Sequence, residues 1–475
     1  MLYINGEWLE TEGTLIVSNP ATGEKIDEVF TSGTEEAQLA IDSAEEAMEH
    51  WAKKTAKERS QYLIRTSEII KSRIDEIAEV ITKEMGKPLY EAKGEILLAT
   101  DYLEWYAEEG KRIYGETIPA SASDKRLMVI RQPVGVVGAI TPWNFPIAMI
   151  TRKIAPALAA GCTVVLKPAS ATPLTAIEVF KAFHEAGLPK GVVNLLHGSA
   201  SKVVGVLMDS PVVRKITFTG STEVGKHLMK QSADTMKKIS MELGGHAPFI
   251  VFEDADLEQA AEAAIASKFR NAGQTCVCTN RIYVQKSVVN DFSDILKDKM
   301  SKLTIGNGLN EGVTIGPLID QEAVDKAETH VKDAQEKGGK VLIGGERLDN
   351  DDFNNGSFFE PTLIVNANHS MKISFEETFG PVVPVFAFDT EEEVIQKANN
   401  TVYGLASYIF SNDINRVYRV MENLDYGIIG VNDPLPTVAQ APFGGVKESG
   451  VGREGGRHGI EDYLDYKYIS MQLKI

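Results

Sequence analysis

Cysteine is scarce in this 475-residue chain, with only Cys162, Cys276 and Cys278, which excludes a disulfide-stapled secreted scaffold and points to a reducing compartment. Histidine is scarce too, eight in all, and no two have the spacing of a metal-ligand pair, so no metal site is expected. Met1 to Glu10 lacks a basic segment followed by an apolar run, so no secretory leader is expected. The longest charge-free stretch, Gln132 to Thr151, contains Pro133, Pro142, Asn144 and Pro146. It reads as a buried strand plus loop rather than a membrane span. Positive charge is in deficit, 49 Lys+Arg against 67 Asp+Glu for a net charge of −18. Nucleic acid and anionic membranes are therefore poor partners, and an anionic ligand needs a local basic pocket. No Gly-x-Gly-x-x-Gly follows the first strand and no Gly-x-Ser-x-Gly occurs, which removes the usual dinucleotide fingerprint and the serine-hydrolase elbow. The expectation is a cytoplasmic protein.

What is present is a globular composition, 43% apolar and 24% charged, over a length that accommodates two to four domains at roughly 100–200 residues each. From Thr34 to about Arg112, apolar residues such as Ile69, Ile70, Ile74, Ile77, Val80 and Ile81 recur at helical spacing, interrupted by Gly86-Lys87-Pro88. This predicts two or three amphipathic helices with solvated acidic faces, and surface charge runs such as Glu108 to Arg112. After Arg131 the pattern alternates. Strands are expected at Val134–Ile140, Thr163–Leu166, Val192–Leu196, Lys215–Thr219 and Ile239–Leu243. The helices between them start near Ala148, at Pro173 with Thr172 as cap, at Lys202 and at Thr222. Such alternation is an α/β fold with a parallel sheet, whose ligands bind beyond the carboxyl ends of its strands. A second α/β block carries a helix over Leu257–Ala272, a strand over Ile282–Val284, and helices over Val289–Leu303 and Gln321–Glu336. Strands at Val341–Leu342, Leu363–Ile364 and Val382–Phe388 and a polar loop at Glu346–Gly356 complete it. The tail from Tyr463 to Ile475 alternates like an exposed strand, an edge that a partner would have to cover.

Gly220-Ser221-Thr222-Glu223-Val224-Gly225-Lys226 nearly spells a phosphate-binding loop, but His227 follows where a Mg²⁺-binding hydroxyl is required. Gly220 and Ser221 can still bring backbone N–H groups and a helix start towards one phosphate. Cys162 enters an apolar strand and reads as a small buried hydrophobe. Cys276 lies among small and polar residues near Arg270, and is the candidate reactive thiol.

Four segments then fall into order: Thr141-Pro142-Trp143-Asn144-Phe145-Pro146, Met241-Glu242-Leu243-Gly244-Gly245, Gly273-Gln274-Thr275-Cys276 and Glu376-Glu377-Thr378-Phe379-Gly380-Pro381. Together they resemble the aldehyde dehydrogenase superfamily, from Tyr3-Ile4-Asn5-Gly6-Glu7-Trp8 to Pro442-Phe443-Gly444-Gly445-Val446-Lys447. The resemblance implies a Rossmann-type dinucleotide-binding domain (1–113 and 134–244), an α/β catalytic domain (245–445) and a bridging β-flap for oligomerisation (114–133 and 460–475). It also implies a homodimer or homotetramer. Cys276 is then the nucleophile, Asn144 the oxyanion donor, Glu242 the base that activates water, and Lys153 a proton-relay or cofactor-positioning residue. Taken alone, Glu242 reads as an ion-paired strand-end carboxylate. Its presence argues for hydrolysis to a free acid rather than transfer to coenzyme A. Cofactor contacts are implied for Thr141, Trp143, Lys167, Ser170, Gly220, Ser221, Leu243, Glu377 and Phe379. Members restricted to NAD often carry Glu where this chain has Ser170, so NADP is favoured over NAD.

Ser267 to Cys278, Met149 to Lys153 and Lys167 to Ser170 look most like the succinate-semialdehyde dehydrogenase branch. There, arginines matching Arg152 and Arg270 grip the substrate carboxylate. The bland alternative is a pair of structural arginines. The loop Val431 to Pro442 departs from the branch: Thr437 stands in for a serine, and Pro434 and Pro436 reshape the wall. Sulfolactaldehyde, glutarate semialdehyde or a broad range of aldehydes therefore remain alternatives, as does, in another class, a non-catalytic protein on the same fold. Cys278 is a candidate redox partner of Cys276.

Overall fold

The computed structural model describes residues 1–350 and 353–474. Two residues of the expected polar loop, Asp351 and Asp352, and the final Ile475 lie outside the described residues; within that loop Arg347–Leu348 pairs with Phe358–Phe359.

Thr34 to Arg112 folds into four helices, Thr34–Lys53, Ala56–Ser72, Ile74–Met85 and Leu89–Glu109, rather than two or three. The extra break comes from local capping. Thr55 accepts from Glu58 N–H while Glu58 reaches back to the Thr55 N–H, a reciprocal cap that starts a new helix. Gly86 in the left-handed region (φ 96°) ends the third helix. The apolar faces pack as the spacing predicts, with Leu63, Ile70, Ile77 and Ile81 fully buried. Each such side chain contributes roughly 1.5–3 kcal/mol of burial. The acidic residues do not all stay in solvent, however. Glu84, Lys87 and Glu95 are buried. Glu84 accepts from the N–H groups of Leu174 and Thr175, both at 2.8 Å, so it caps the Pro173–Glu185 helix. Thr172 occupies the cap position but makes no capping bond itself.

The first sheet has eight strands. Its parallel centre runs Val193–Leu195, Thr163–Lys167, Val136–Ile140, Val213–Thr219, Lys238–Glu242 in spatial order. The N-terminal hairpin, Leu2–Ile4 and Glu7–Leu9, closes one edge and Gly450–Val451 the other. The parallel strands begin in the middle, at Val136–Ile140, step outward to Val193–Leu195, and then cross to Val213–Thr219 on the other side. The loops after Ile140 and Thr219 therefore part at the switch point, where a crevice opens. The second sheet has seven strands drawn from Ala247–Val251 through Ile428–Val431, parallel except for Lys340–Ile343 at one edge. Two predicted helices end early: Leu257–Phe269 gives way to a tight turn at Arg270–Gly273, and Val289 runs only to Met300.

The tail strand, Leu464–Gln472, pairs antiparallel with Lys125–Pro133, which also pairs with Glu116–Ile118. Tyr466, Tyr468 and Met471 are exposed on it. No helix among the described residues is long and apolar enough to cross a membrane.

Candidate active site

The switch-point crevice holds a cavity of about 270 Å³. Asn144, Trp143, Gly220, Ser221, Leu243, Cys276, Glu377 and Phe379 all line it, and all were expected there from the sequence. Lys326 and Met149 line it as well, and nothing in the motifs had singled them out. Five separate loop segments deliver these groups, and two close contacts let them meet. A Cβ on Gly245 would lie 2.2 Å from the Cys276 carbonyl oxygen, so only glycine lets the strand end approach the cysteine loop. Gly444, at φ 154°, passes so close to Glu242 that a Cβ would sit 2.8 Å from Oε1.

Cys276 is half-buried, and its thiol is pushed up to about 12, by burial first, then by Glu377 and Glu242, with Arg152 opposing. Without substrate the sulfur therefore holds its proton, and a base must take it. Asn144 is 5% exposed and its Nδ2 donates to the Gln274 carbonyl at 3.1 Å. One amide hydrogen is thus committed, and the second is free for an oxyanion. Glu242 ends the Lys238–Glu242 strand, 2% exposed, with no hydrogen-bond partner for Oε2. Burial, and then the nearby Glu454, hold its carboxyl well above the usual range. A carboxyl with a raised proton affinity is a stronger base once ionised, which suits proton transfer better than charge pairing.

Lys153 and Arg152 lie behind this wall, and both pair with Glu454, a residue the sequence reading passed over. Lys153 Nζ meets Glu454 Oε1 and lies 3.2 Å from Thr217 Oγ1. Arg152 Nε is 2.6 Å from Glu454 Oε2, and its guanidinium sits 4.2 Å over the Phe443 ring. Burial raises the Glu454 carboxyl, but Lys153 and Arg152 outweigh it and keep it ionised. Arg270 is elsewhere. It lines a second cavity of about 530 Å³ with Glu91, Glu95, Leu98, Phe145 and Leu435, its guanidinium 5.0 Å over the Phe145 ring. It has no ion-pair partner among the described residues. The two arginines are therefore not in one cavity. Thr437 is half-buried, two residues beyond Leu435 on the same loop.

On the cofactor side, the Phe379 ring meets Trp143 edge-on at 5.6 Å. Glu377 accepts from Gly245 N–H at 3.0 Å, and burial lifts its carboxyl to about 7. His330 secures this segment from the Gln321–Glu336 helix, with Nδ1 3.1 Å from Thr378 Oγ1 and Nε2 3.1 Å from Glu376 Oε2. Ser221 caps the Thr222–Ser232 helix by accepting from Val224 N–H at 3.4 Å, while Lys226 turns away to Glu448. Lys167, 6% exposed, closes its strand with Thr141 N–H donating to its carbonyl at 3.2 Å, and burial lowers its ammonium. It has no carboxylate partner among the described residues, and Ser170 beside it is exposed. Cys278 is buried, its Sγ donating to the Gly273 carbonyl at 3.2 Å and accepting from Lys268 Nζ at 3.9 Å. No cluster of metal-ligating side chains occurs among the described residues.

Comparison with known proteins decides the family. A model described as the aldehyde dehydrogenase family matches residues 8–469. The chain belongs to the aldehyde dehydrogenase family. It is 54% identical over 473 residues to a glutarate-semialdehyde dehydrogenase of Pseudomonas putida, covering 99% of this chain and 97% of that one. It is also 54% identical over 472 residues to an NADP-dependent succinate-semialdehyde dehydrogenase of Escherichia coli, with the same coverage of 99% and 97%. A solved Escherichia coli structure described as an NADP-dependent enzyme superposes with a TM-score of 0.97 at 54% identity, over 99% of this chain and 98% of that one. This aldehyde dehydrogenase is an oxidoreductase of the α/β fold its motifs implied.

Proposed function

We propose that this aldehyde dehydrogenase oxidises succinate semialdehyde to succinate with NADP, through a thioester on Cys276. The observation that carries the anionic substrate is Arg270, a guanidinium with no ion pair within 4 Å among the described residues, which stacks on Phe145 in the 530 Å³ cavity that Glu91 and Glu95 also line. A fork of N–H donors so placed suits the distal carboxylate of a semialdehyde. Thr437 adds a hydroxyl from the same loop, and Arg152, held against a Glu454 that it shares with Lys153, adds field more than a free grip. Glutarate semialdehyde and sulfolactaldehyde form the second reading, favoured by Leu435 in the cavity wall.

Water carries the Cys276 proton away, and the thiolate adds to the aldehyde carbon. The resulting oxyanion is met by the free amide hydrogen of Asn144 and by the Cys276 N–H. NADP supplies the acceptor for the hydride that leaves as the carbon becomes a thioester. Glu242 then deprotonates water for attack on that thioester, and the sulfur departs as thiolate while the acid is released. Lys153 with Glu454 serves proton balance behind Glu242. Trp143, Thr141, Leu243, Gly220 and Ser221 would hold the dinucleotide, with Glu377 at the nicotinamide ribose hydroxyls and Phe379 by the ring. Lys167 without a counter-ion and an uncharged Ser170 fit a 2′-phosphate, which favours NADP with NAD as the alternative.

The reading extends to a cytoplasmic homodimer or homotetramer joined through the flap of 114–133 and 460–475, whose edge strand bares Tyr466, Tyr468 and Met471. Residues 1–113 with 134–244 form the cofactor domain, and 245–445 the catalytic domain.

The test is a panel of succinate semialdehyde, glutarate semialdehyde, sulfolactaldehyde and neutral butanal with each cofactor, on the parent and on Arg270→Ala. The substitution is expected to cost about 10- to 100-fold in kcat/KM for the charged aldehydes, the worth of a charged hydrogen bond, and little for butanal. Equal parent rates on charged and neutral aldehydes would refute the anionic pocket.

A further inference from the structure

Lys87 and Glu95 have fully enclosed side chains and face each other at 2.5 Å. The chemistry described so far uses neither. Desolvating two charges offsets most of their attraction, so such a pair adds little stability over apolar packing. What it can supply is geometry, and the geometry here converges on Asn144. The Lys87 ammonium has three hydrogens and three partners. These are Glu95 Oε2 at 2.5 Å, the Asn144 carbonyl at 2.8 Å, and the Phe145 ring at 3.9 Å from its centre. Glu95 Oε1 accepts from the N–H groups of Ile147 at 2.9 Å and Ala148 at 3.2 Å, which are otherwise unpaired at the start of the Pro146–Ala160 helix. One ion pair thus grips the backbone on both sides of Phe145. Asn271 Nδ2 donates to the same Asn144 carbonyl at 2.9 Å, and Glu91, one helical turn from Lys87 and Glu95, accepts from Asn271 N–H at 2.7 Å. The start of the Leu89–Glu109 helix therefore addresses the asparagine loop and the cysteine loop together.

We propose that the buried Lys87–Glu95 pair is the positioning unit of the oxyanion hole, holding Asn144 to Ala148 so that the Asn144 amide meets the oxygen of the Cys276 adduct. The inference rests on the roles proposed above for Asn144 and Cys276. Helix and loop meet through charge because the loop, with Pro142 and Pro146 at its ends, has few backbone donors of its own to fasten it.

Lys87→Met, Glu95→Asp and Asn144→Ala, singly and in pairs, are assayed with succinate semialdehyde for kcat, KM, NADP affinity by fluorescence titration, and melting temperature. Glu95→Asp keeps the charge balance and withdraws the carboxylate by one methylene, so the geometry is tested even where Lys87→Met does not fold. Each is expected to lower kcat on the order of 10²-fold, the cost of misplacing a catalytic group by an ångström, with NADP affinity unchanged. In the Asn144→Ala background the further loss should vanish, because an absent amide cannot be misplaced. Losses that multiply with Asn144→Ala, or that fall on NADP affinity alone, would overturn the proposal while leaving the oxyanion hole intact. Full turnover by Asn144→Ala itself would overturn the oxyanion reading, and the positioning proposal with it.

Discussion

Glu242→Gln keeps the shape of the side chain and removes its ability to carry a proton away from water. The carboxyl is 2% exposed with Oε2 unpartnered, so the new amide nitrogen meets no acceptor. That omission costs about 1–3 kcal/mol of stability, partly returned because the repulsion from Glu454 disappears. The variant is therefore expected to fold. Loss of a general base is worth about 10²–10⁴ in rate, or about 3–5 kcal/mol of barrier, and it should fall on deacylation. Rapid mixing with succinate semialdehyde and NADP should give a burst of NADPH near one equivalent per subunit followed by slow turnover. Quenched protein should carry the acyl mass on the peptide containing Cys276. In the parent, the raised carboxyl makes steady-state turnover climb as pH rises, and that limb should be missing in the variant. The stability sign is separate: folding holds Glu242 protonated above its free range, so this group costs the parent stability as pH rises through that window. Glu242→Gln does not share that cost. Undiminished steady-state turnover, or a burst without the acyl adduct, would refute the assignment.

Ser170→Glu introduces a carboxylate beside Lys167 and should shift the kcat/KM preference from NADP towards NAD by about 10-fold or more, as the new charge repels a 2′-phosphate. Glu377, with its carboxyl near 7, should bind ribose hydroxyls more weakly as pH falls through that value, so KM for the cofactor rises at acid pH; Glu377→Gln should flatten the profile. For Cys278→Ala treated with peroxide, the expectation is inactivation that thiol no longer reverses, whereas the parent recovers; equal recovery would remove the Cys276–Cys278 switch.

Much of the site was legible in the chain because catalytic chemistry restricts residue type within short segments. Trp143, Asn144, Gly220, Ser221, Cys276, Glu377 and Phe379 come from separate motifs and meet in one crevice, as the strand order demands. The surrounding shell was not legible. Glu84 and Glu95 read as solvated charge because their helices carry a polar pattern, and Lys87 read only as part of a helix break; the neighbouring helix starts and the Asn144 carbonyl turn them inward. Glu454 gave no signal, being one acidic residue in a glycine-rich tail. Its role depends on Lys153 and Arg152 arriving 301 residues away along the chain in the first case.

Local sequence thus settled the alternation of strands and helices, the loops that follow them, and the reactive groups those loops carry, since turn chemistry and nucleophile chemistry each tolerate few residue types. Tertiary structure alone decided which charges are buried, and that Arg152 is held against Glu454 while Arg270 lines a cavity without a direct ion pair among the described residues. The reason is that hydrophobic periodicity is a property of a few successive residues, whereas the environment of a charge is set by whatever distant segment packs against it.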